Sequence, residues 1–248
     1  MDEGRVNCRR LRSLGSAGHK EFKGTLMKDD VSTTPQSKVP AHEMVYRKLR
    51  DLVLFGEIAP GQAVTIQGLT DRLDAGMTPV REAIRRLIAE GALDFQGNRR
   101  VCVPRLSVHN VNELIFARQA IEPQLILLAT QHATAQDIDH LFQIDERLDK
   151  AIKDGDVTAY LRRNYRFHKT LYELAEAPIL VSIADGLWLR FGPSLRVVCG
   201  RVGTSNLTDQ HKETLSAMRA GDAEKAARAI REDVIQGMEQ VRQVITQT

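Results

Sequence analysis

The segment Thr78-Pro79-Val80-Arg81-Glu82-Ala83-Ile84-Arg85-Arg86-Leu87 combines a helix start, one apolar stripe and a basic outer face. Thr78 can cap a helix, and Pro79 is tolerated in a first turn, where its missing N–H has no intrahelical partner to lose. Val80, Ala83, Ile84 and Leu87 recur at spacings of three and four, so they share one side of that helix, which should end near Gly91. Arg81, Arg85 and Arg86 fall on the other side. An arginine fork can reach guanine O6 and N7 in a major groove or grip a phosphate, and a helix N-terminus itself favours phosphate. Any one of these arginines is as readily a solvated surface charge. Their joint position beside Thr78 is what points to nucleic acid.

The pattern extends to both sides. From Ala41 the chain turns helical through Val45, Leu49, Leu52 and Val53, with Gly56 as a stop. After a loop at Ile58-Ala59-Pro60-Gly61, a second short helix is expected from Gln67 to Leu73, ended by Asp74-Ala75-Gly76. Downstream, Leu93 to Gln96 and Val101 to Pro104 are extended runs around Gly97-Asn98-Arg99-Arg100, a hairpin with a basic tip. Arg99 and Arg100 there can enter a minor groove or touch the backbone. Three helices and a basic hairpin describe a winged helix-turn-helix over residues 40–106. The plainer alternative is a small helical domain with an incidental hairpin.

Beyond Pro104 the sequence is continuously helical, so the chain reads as mainly α, with a second, all-helical domain over residues 107–248. Helices are expected near 109–132, 135–153, 156–176, 179–199, 207–220 and 223–245, with Thr134 and Asp222 as starts. Gly192-Pro193 should kink or split the fourth of these, and Pro123 should bend the first. Residues 1–39 mix Gly, Ser, Thr, Lys and Asp without apolar periodicity and read as a disordered leader. Met27 inside it is a candidate true start of translation.

Composition narrows the class. Hydrophobic residues make up 42% of the 248, enough for a core, while aromatics are only 5% and Pro is sparse, 8 in the whole chain. That disfavours an all-β fold. No apolar run approaches the roughly 18 to 20 residues that cross a bilayer. Arg5, Arg9, Arg10 and Arg12 are not followed by the apolar core of a secretion signal. Cys8, Cys102 and Cys199 are too few and too far apart for a disulfide framework or a thiolate zinc site. A cytoplasmic protein without a membrane partner is expected. Residues 40–107 carry a net +2 and residues 108–248 a net −2, so the basic part is where nucleic acid is expected.

In the helical part, polar residues occupy positions where the period calls for apolar ones. Leu161, Asn164, His168, Leu171 and Ala175 form one stripe, and Leu207, His211, Leu215 and Met218 another. Ala226, Ile230, Asp233, Gly237 and Val241 form a third, and Leu114, Arg118, Ile121 and Leu125 a fourth. A buried charge needs a partner or a ligand, so an internal polar pocket is indicated. Two imidazoles, a carboxylate and an amide suit a divalent metal such as zinc, nickel or manganese, and Arg118 suits the carboxylate of a small organic acid. A satisfied core histidine is the plainer reading of each His taken singly. A metal-dependent enzyme fused to a DNA-binding module, with His168 and Asp233 as an acid–base pair, is the alternative function. The chain has no glycine-rich phosphate loop, nucleophile elbow or His-Glu-x-x-His helix to support it.

Gly56, Pro60-Gly61, Thr78-Pro79-Val80-Arg81-Glu82-Ala83-Ile84, Leu87 and Glu90-Gly91 closely resemble the winged-helix domain of GntR-family transcription regulators. Arg118, Glu122, Phe167-His168, His211, Ala217 and Gly221-Asp222-Ala223 resemble the FCD ligand-binding domain of the FadR-type subfamily. The resemblance spans nearly all of the chain beyond the leader. It implies a homodimer that binds palindromic double-stranded operator DNA, more often as a repressor, and whose affinity responds to a small organic acid. It places DNA contacts on Gln67, Thr78, Arg81, Arg85 and the wing around Gly97, Arg99 and Arg100. It places metal ligands on Asn164, His168, His211 and Asp233. The chain departs from the family pattern twice: Asp233 stands where a His is usual, and Gly76-Met77 replaces the usual Ser-Arg pair before Thr78.

Overall fold

The computed structural model describes residues 40–96, 100–202 and 209–247. The leader, Met27, Gly97, Arg99 and Leu207 lie outside the described residues. The described residues begin with α1 (Ala41–Leu54), β1 (Ala63–Thr65), α2 (Ile66–Leu73), α3 (Met77–Ala89), β2 (Asp94–Phe95) and β3 (Arg100–Cys102). The three strands form one antiparallel sheet in the order β1-β3-β2, with Ala63 opposite Cys102 and Phe95 opposite Val101. β1 has no counterpart among the elements expected from the sequence. It is three residues long with no fully buried position, so no alternation marks it, and it exists by covering the second edge of β3.

Val80, Ala83, Ile84 and Leu87 are buried together as their spacing predicts. The start of α3 differs from expectation. The helix begins at Met77, and Gly76 occupies the cap position without a side-chain cap, so Thr78 lies in the first turn and caps nothing. The backbone N–H of Val80 reaches the Gly76 carbonyl at 3.3 Å, which fixes the first turn one residue upstream of Thr78.

Six helices follow: α4 (Val108–His132), α5 (Ala135–Lys153), α6 (Val157–Glu173), α7 (Pro178–Val202), α8 (Gln210–Arg219) and α9 (Ala223–Thr246). Ser107 with Asn110 and Thr134 with Asp137 form capping boxes at α4 and α5, and Asp222 accepts from the Lys225 N–H at α9. α4 continues past Pro123 without a break, as expected, and α7 continues past Gly192-Pro193, so of the expected kink or split the split does not occur. Phe167, Leu171, Tyr172 and Phe191 are almost fully buried where α4, α6, α7 and α9 meet.

The winged helix is seated directly on this bundle. α1 packs on α7, where a Cβ at Gly192 would lie 2.6 Å from the Leu54 carbonyl oxygen, so only glycine allows the approach. Arg196 donates to the Phe55 carbonyl at 3.3 Å, and Arg50 donates to the Tyr165 hydroxyl at 3.3 Å. Arg162 pairs with Asp51 at 3.4 Å and Glu57 at 3.3 Å. Among the described residues no helix is long and apolar enough to cross a membrane.

Candidate functional site

Two sites emerge, one on the outside of the winged helix and one inside the bundle. On α3 the side chains of Thr78, Arg81 and Arg85 are exposed, and Arg85 pairs with Glu82 at 3.7 Å. Arg81 has no hydrogen bond or ion pair among the described residues. Gln67 is exposed on α2 and donates to Asp71 at 2.9 Å. Arg100 is exposed at the start of β3, paired in register with Thr65. Arg86 is exposed on the same face, at 51% of its side chain, but it is not free. Its guanidinium turns back over the Tyr46 ring, 3.5 Å from the centroid, and pairs with Glu43 at 3.0 Å and Glu90 at 3.2 Å. The Arg86 side chain belongs to the α1–α3 junction.

Inside the bundle a cavity of about 300 Å³ is lined by Arg118, Asn164, His168, His211 and Asp233, the five residues expected there, and by Asp145, Trp188 and Phe191. His168 Nε2 lies 3.3 Å from one Asp233 oxygen, and His211 Nε2 lies 3.6 Å from the other. The remaining exposure of Asp233, 24% of its side chain, faces the cavity. One potential ligand atom from each of the three residues lies within 4.8 Å of the others. Ligands about 2.1 Å from a tetrahedral ion stand about 3.4 Å apart, so this donor set fits a divalent metal. Asn164 lines the same cavity but makes no side-chain hydrogen bond among the described residues.

The charges in this cavity are tied to neighbours. Although burial alone would raise it, the Asp233 carboxyl is held down to about 2 by His211, His168 and Arg118. Burial pushes the His168 imidazole below its usual value and outweighs the nearby Asp233. Burial acts on His211 too, but the Asp233 and Asp145 carboxylates together raise it.

Arg118 differs from a free anion receptor. It is 3% exposed and forks onto the Glu122 carboxylate, Nε to Oε1 at 2.5 Å and Nη2 to Oε2 at 3.0 Å. Its guanidinium lies 4.1 Å from the Phe191 ring centroid. Among the described residues Nη1 makes no hydrogen bond, so its two hydrogens and the second hydrogen of Nη2 remain as donors. Glu122 also accepts from the Tyr172 hydroxyl at 2.6 Å, and that hydroxyl sits 3.0 Å from His168 Nδ1. His211 Nδ1 is 3.0 Å from Asp145 Oδ1. The supporting roles of Tyr172 and Asp145 are additions to the sequence reading. Tyr172 follows His168 by one helical turn, a legible spacing, whereas Asp145 reaches His211 from another helix and leaves no sequence signal.

Comparison with known proteins agrees with this architecture. The model for bacterial regulatory proteins of the gntR family matches residues 41–103, and the FCD domain model matches residues 113–235. The HTH-type transcriptional regulator McbR of Escherichia coli K12 is 29% identical over 184 residues, covering 73% of this chain and 83% of that protein. The HTH-type transcriptional repressor RspR of the same organism is 24% identical over 218 residues, covering 86% and 94%. A solved structure of E. coli McbR/YncC superposes with a TM-score of 0.78 at 26% identity, covering 83% of this chain and 99% of that one. A GntR structure from Rhodococcus sp. RHA1, at 21% identity and a TM-score of 0.67, shares the fold.

Proposed function

Since the chain belongs to the GntR family of bacterial regulatory proteins and carries an FCD domain behind its winged helix, it is a DNA-binding transcription regulator, and we propose that it is a repressor gated by a small carboxylic acid. Its relatives are named as regulators, and nothing in them favours the enzyme alternative. RspR is named a repressor, which supports the direction of control. In this reading a homodimer sets two copies of α3 into a two-fold symmetric operator. Arg81 and Arg85 read or grip the major groove, Thr78 and Gln67 approach phosphate, and Gly97, Arg99 and Arg100 form the wing.

The observation that carries the effector half of this reading is the cavity, which gathers one guanidinium, two imidazoles and four carboxylates, those of Asp145, Asp149, Asp209 and Asp233, inside the helical bundle. His168, His211 and Asp233 would hold a divalent ion such as zinc, nickel or manganese, with Asn164 as a fourth donor. The ion would supply a Lewis-acid site for the acid's oxygens, and Nη1 of Arg118 would add a hydrogen bond. Selection from a random duplex pool, followed by binding titrations, tests the DNA half. Wild type is expected to enrich a two-fold symmetric site. Enrichment of no common sequence, or of an asymmetric one, contradicts it.

A further inference from the structure

The metal reading leaves open what aims two histidines at one carboxylate, and the hydrogen bonds around them answer it. Glu122 accepts from Arg118 on both oxygens, so it has no proton to donate. The 2.6 Å contact between Tyr172 and Glu122 is therefore made by the tyrosine's own hydrogen. That hydroxyl has no second hydrogen, and its other neighbours are His168 Nδ1 at 3.0 Å and the Trp188 indole N–H at 3.5 Å. His168 Nδ1 must carry a hydrogen, because otherwise two acceptors would face each other across 3.0 Å. On His211 the same conclusion follows from Asp145. That carboxylate is 2% exposed, its Oδ2 has no hydrogen-bond donor among the described residues, and the Lys212 ammonium is 3.8 Å away, held by Asp149 and Asp209. Without a hydrogen on His211 Nδ1 the buried anion would have no hydrogen bond at all.

We infer that Tyr172, anchored by Glu122 and Arg118, and Asp145 are positioning residues that fix His168 and His211 as Nδ1–H tautomers and aim both Nε2 lone pairs at Asp233. In their neutral forms the two rings then offer only acceptors toward Asp233, at 3.3 and 3.6 Å, a constellation completed by a cation. Arg118 accordingly serves the metal cavity first through Glu122 and Tyr172. The consequence for metal affinity rests on the reading given under Proposed function; the tautomers do not.

The test uses full-length, chelator-treated protein with 15N-labelled histidine. Imidazole nitrogen spectra are recorded above the titration of both rings, with His168→Ala and His211→Ala for assignment. Wild type is expected to show Nδ1–H on both rings. Tyr172→Phe moves His168 toward Nε2–H, Asp145→Ala does the same to His211, and Asp145→Asn, which keeps an acceptor, preserves the wild-type tautomer. Calorimetric titration with Zn2+ should show affinity about 10- to 100-fold weaker in Tyr172→Phe and Asp145→Ala. Nε2–H on either ring of wild type, or unchanged Zn2+ affinity in both variants, overturns the inference. Should wild type hold both Nδ1–H tautomers yet bind no Zn2+, Ni2+ or Mn2+, the metal reading falls and the positioning roles stand. The wild-type spectrum decides the tautomers even if a variant fails to fold.

Discussion

Arg81 and Arg86 stand on one helix five positions apart, and their surroundings give them opposite work. Arg81 is exposed and unpaired among the described residues, while Arg86 is held by Tyr46, Glu43 and Glu90. Arg81→Ala should therefore cost about 1 to 3 kcal/mol of operator binding and relax sequence preference, leaving the melting temperature unchanged. Arg86→Ala should do the reverse, lowering the melting temperature while sequence preference is retained. Paired binding and melting curves check both. Periodicity reveals which side of a helix a residue leaves from, but not where a long side chain ends, which is why the sequence groups these two arginines together. The same limit applies to Arg118, whose position in the cavity was legible and whose commitment to Glu122 was legible only as an i,i+4 spacing.

Asp233 and His211 make a second prediction at this scale. The lowered carboxyl of Asp233 contributes stability above its ordinary value and loses it as pH falls toward about 2. The raised imidazole of His211 contributes below its ordinary value and loses it as pH rises through the raised one. Both contributions are present together between about pH 4 and 6.5. In metal-free protein, the difference in melting temperature between wild type and Asp233→Asn should be widest in that window and shrink on either side. A difference independent of pH would show that the pair is not ionic.

At the scale of elements, α7 has two duties one residue apart. Trp188 and Phe191 wall the cavity, while Gly192 receives the Leu54 carbonyl and Arg196 holds the Phe55 carbonyl. Glycine and proline disfavour a helix in isolation, and that is why the sequence predicts a kink or split here. Tertiary contact prevails, because the seam with α1 requires a position without a side chain. Gly192→Ala should destabilise the protein by about 1 to 3 kcal/mol despite the better helix propensity of alanine, since a backbone carbonyl cannot swing away. Thermal unfolding of the variant checks this, and a gain in stability would show that the seam is loose. The other helices were legible because their apolar stripes are long. β1 was not, being short and specified by the edge it covers.

For the whole molecule, a direct path joins the cavity to the DNA-binding part. Trp188 lies tilted against His168 at 5.0 Å and edge-on to Tyr165 at 5.4 Å between ring centroids, and Tyr165 accepts from Arg50 of α1. Under the proposed function, this is the route by which occupancy of the cavity would bias the seat of the winged helix. Any influence of ligand on operator affinity must be matched by an equal influence of operator on ligand affinity. The division into a basic N-terminal part and a polar-lined bundle was already visible in the charge pattern and the interrupted stripes. The path between them was not, since it runs through contacts between residues far apart in sequence.

In the proposed function, this regulator's hold on DNA depends on what occupies the cavity. This dependence is tested by titrating a selected duplex with chelator-treated wild type, and again with Zn2+ and a panel of small di- and tricarboxylates, following fluorescence anisotropy. At least one acid should weaken operator binding by about 5- to 150-fold, the usual range of allosteric coupling, and His168→Ala should abolish that shift. Operator affinity that is the same under every condition, or a shift that persists in His168→Ala, would contradict the claim.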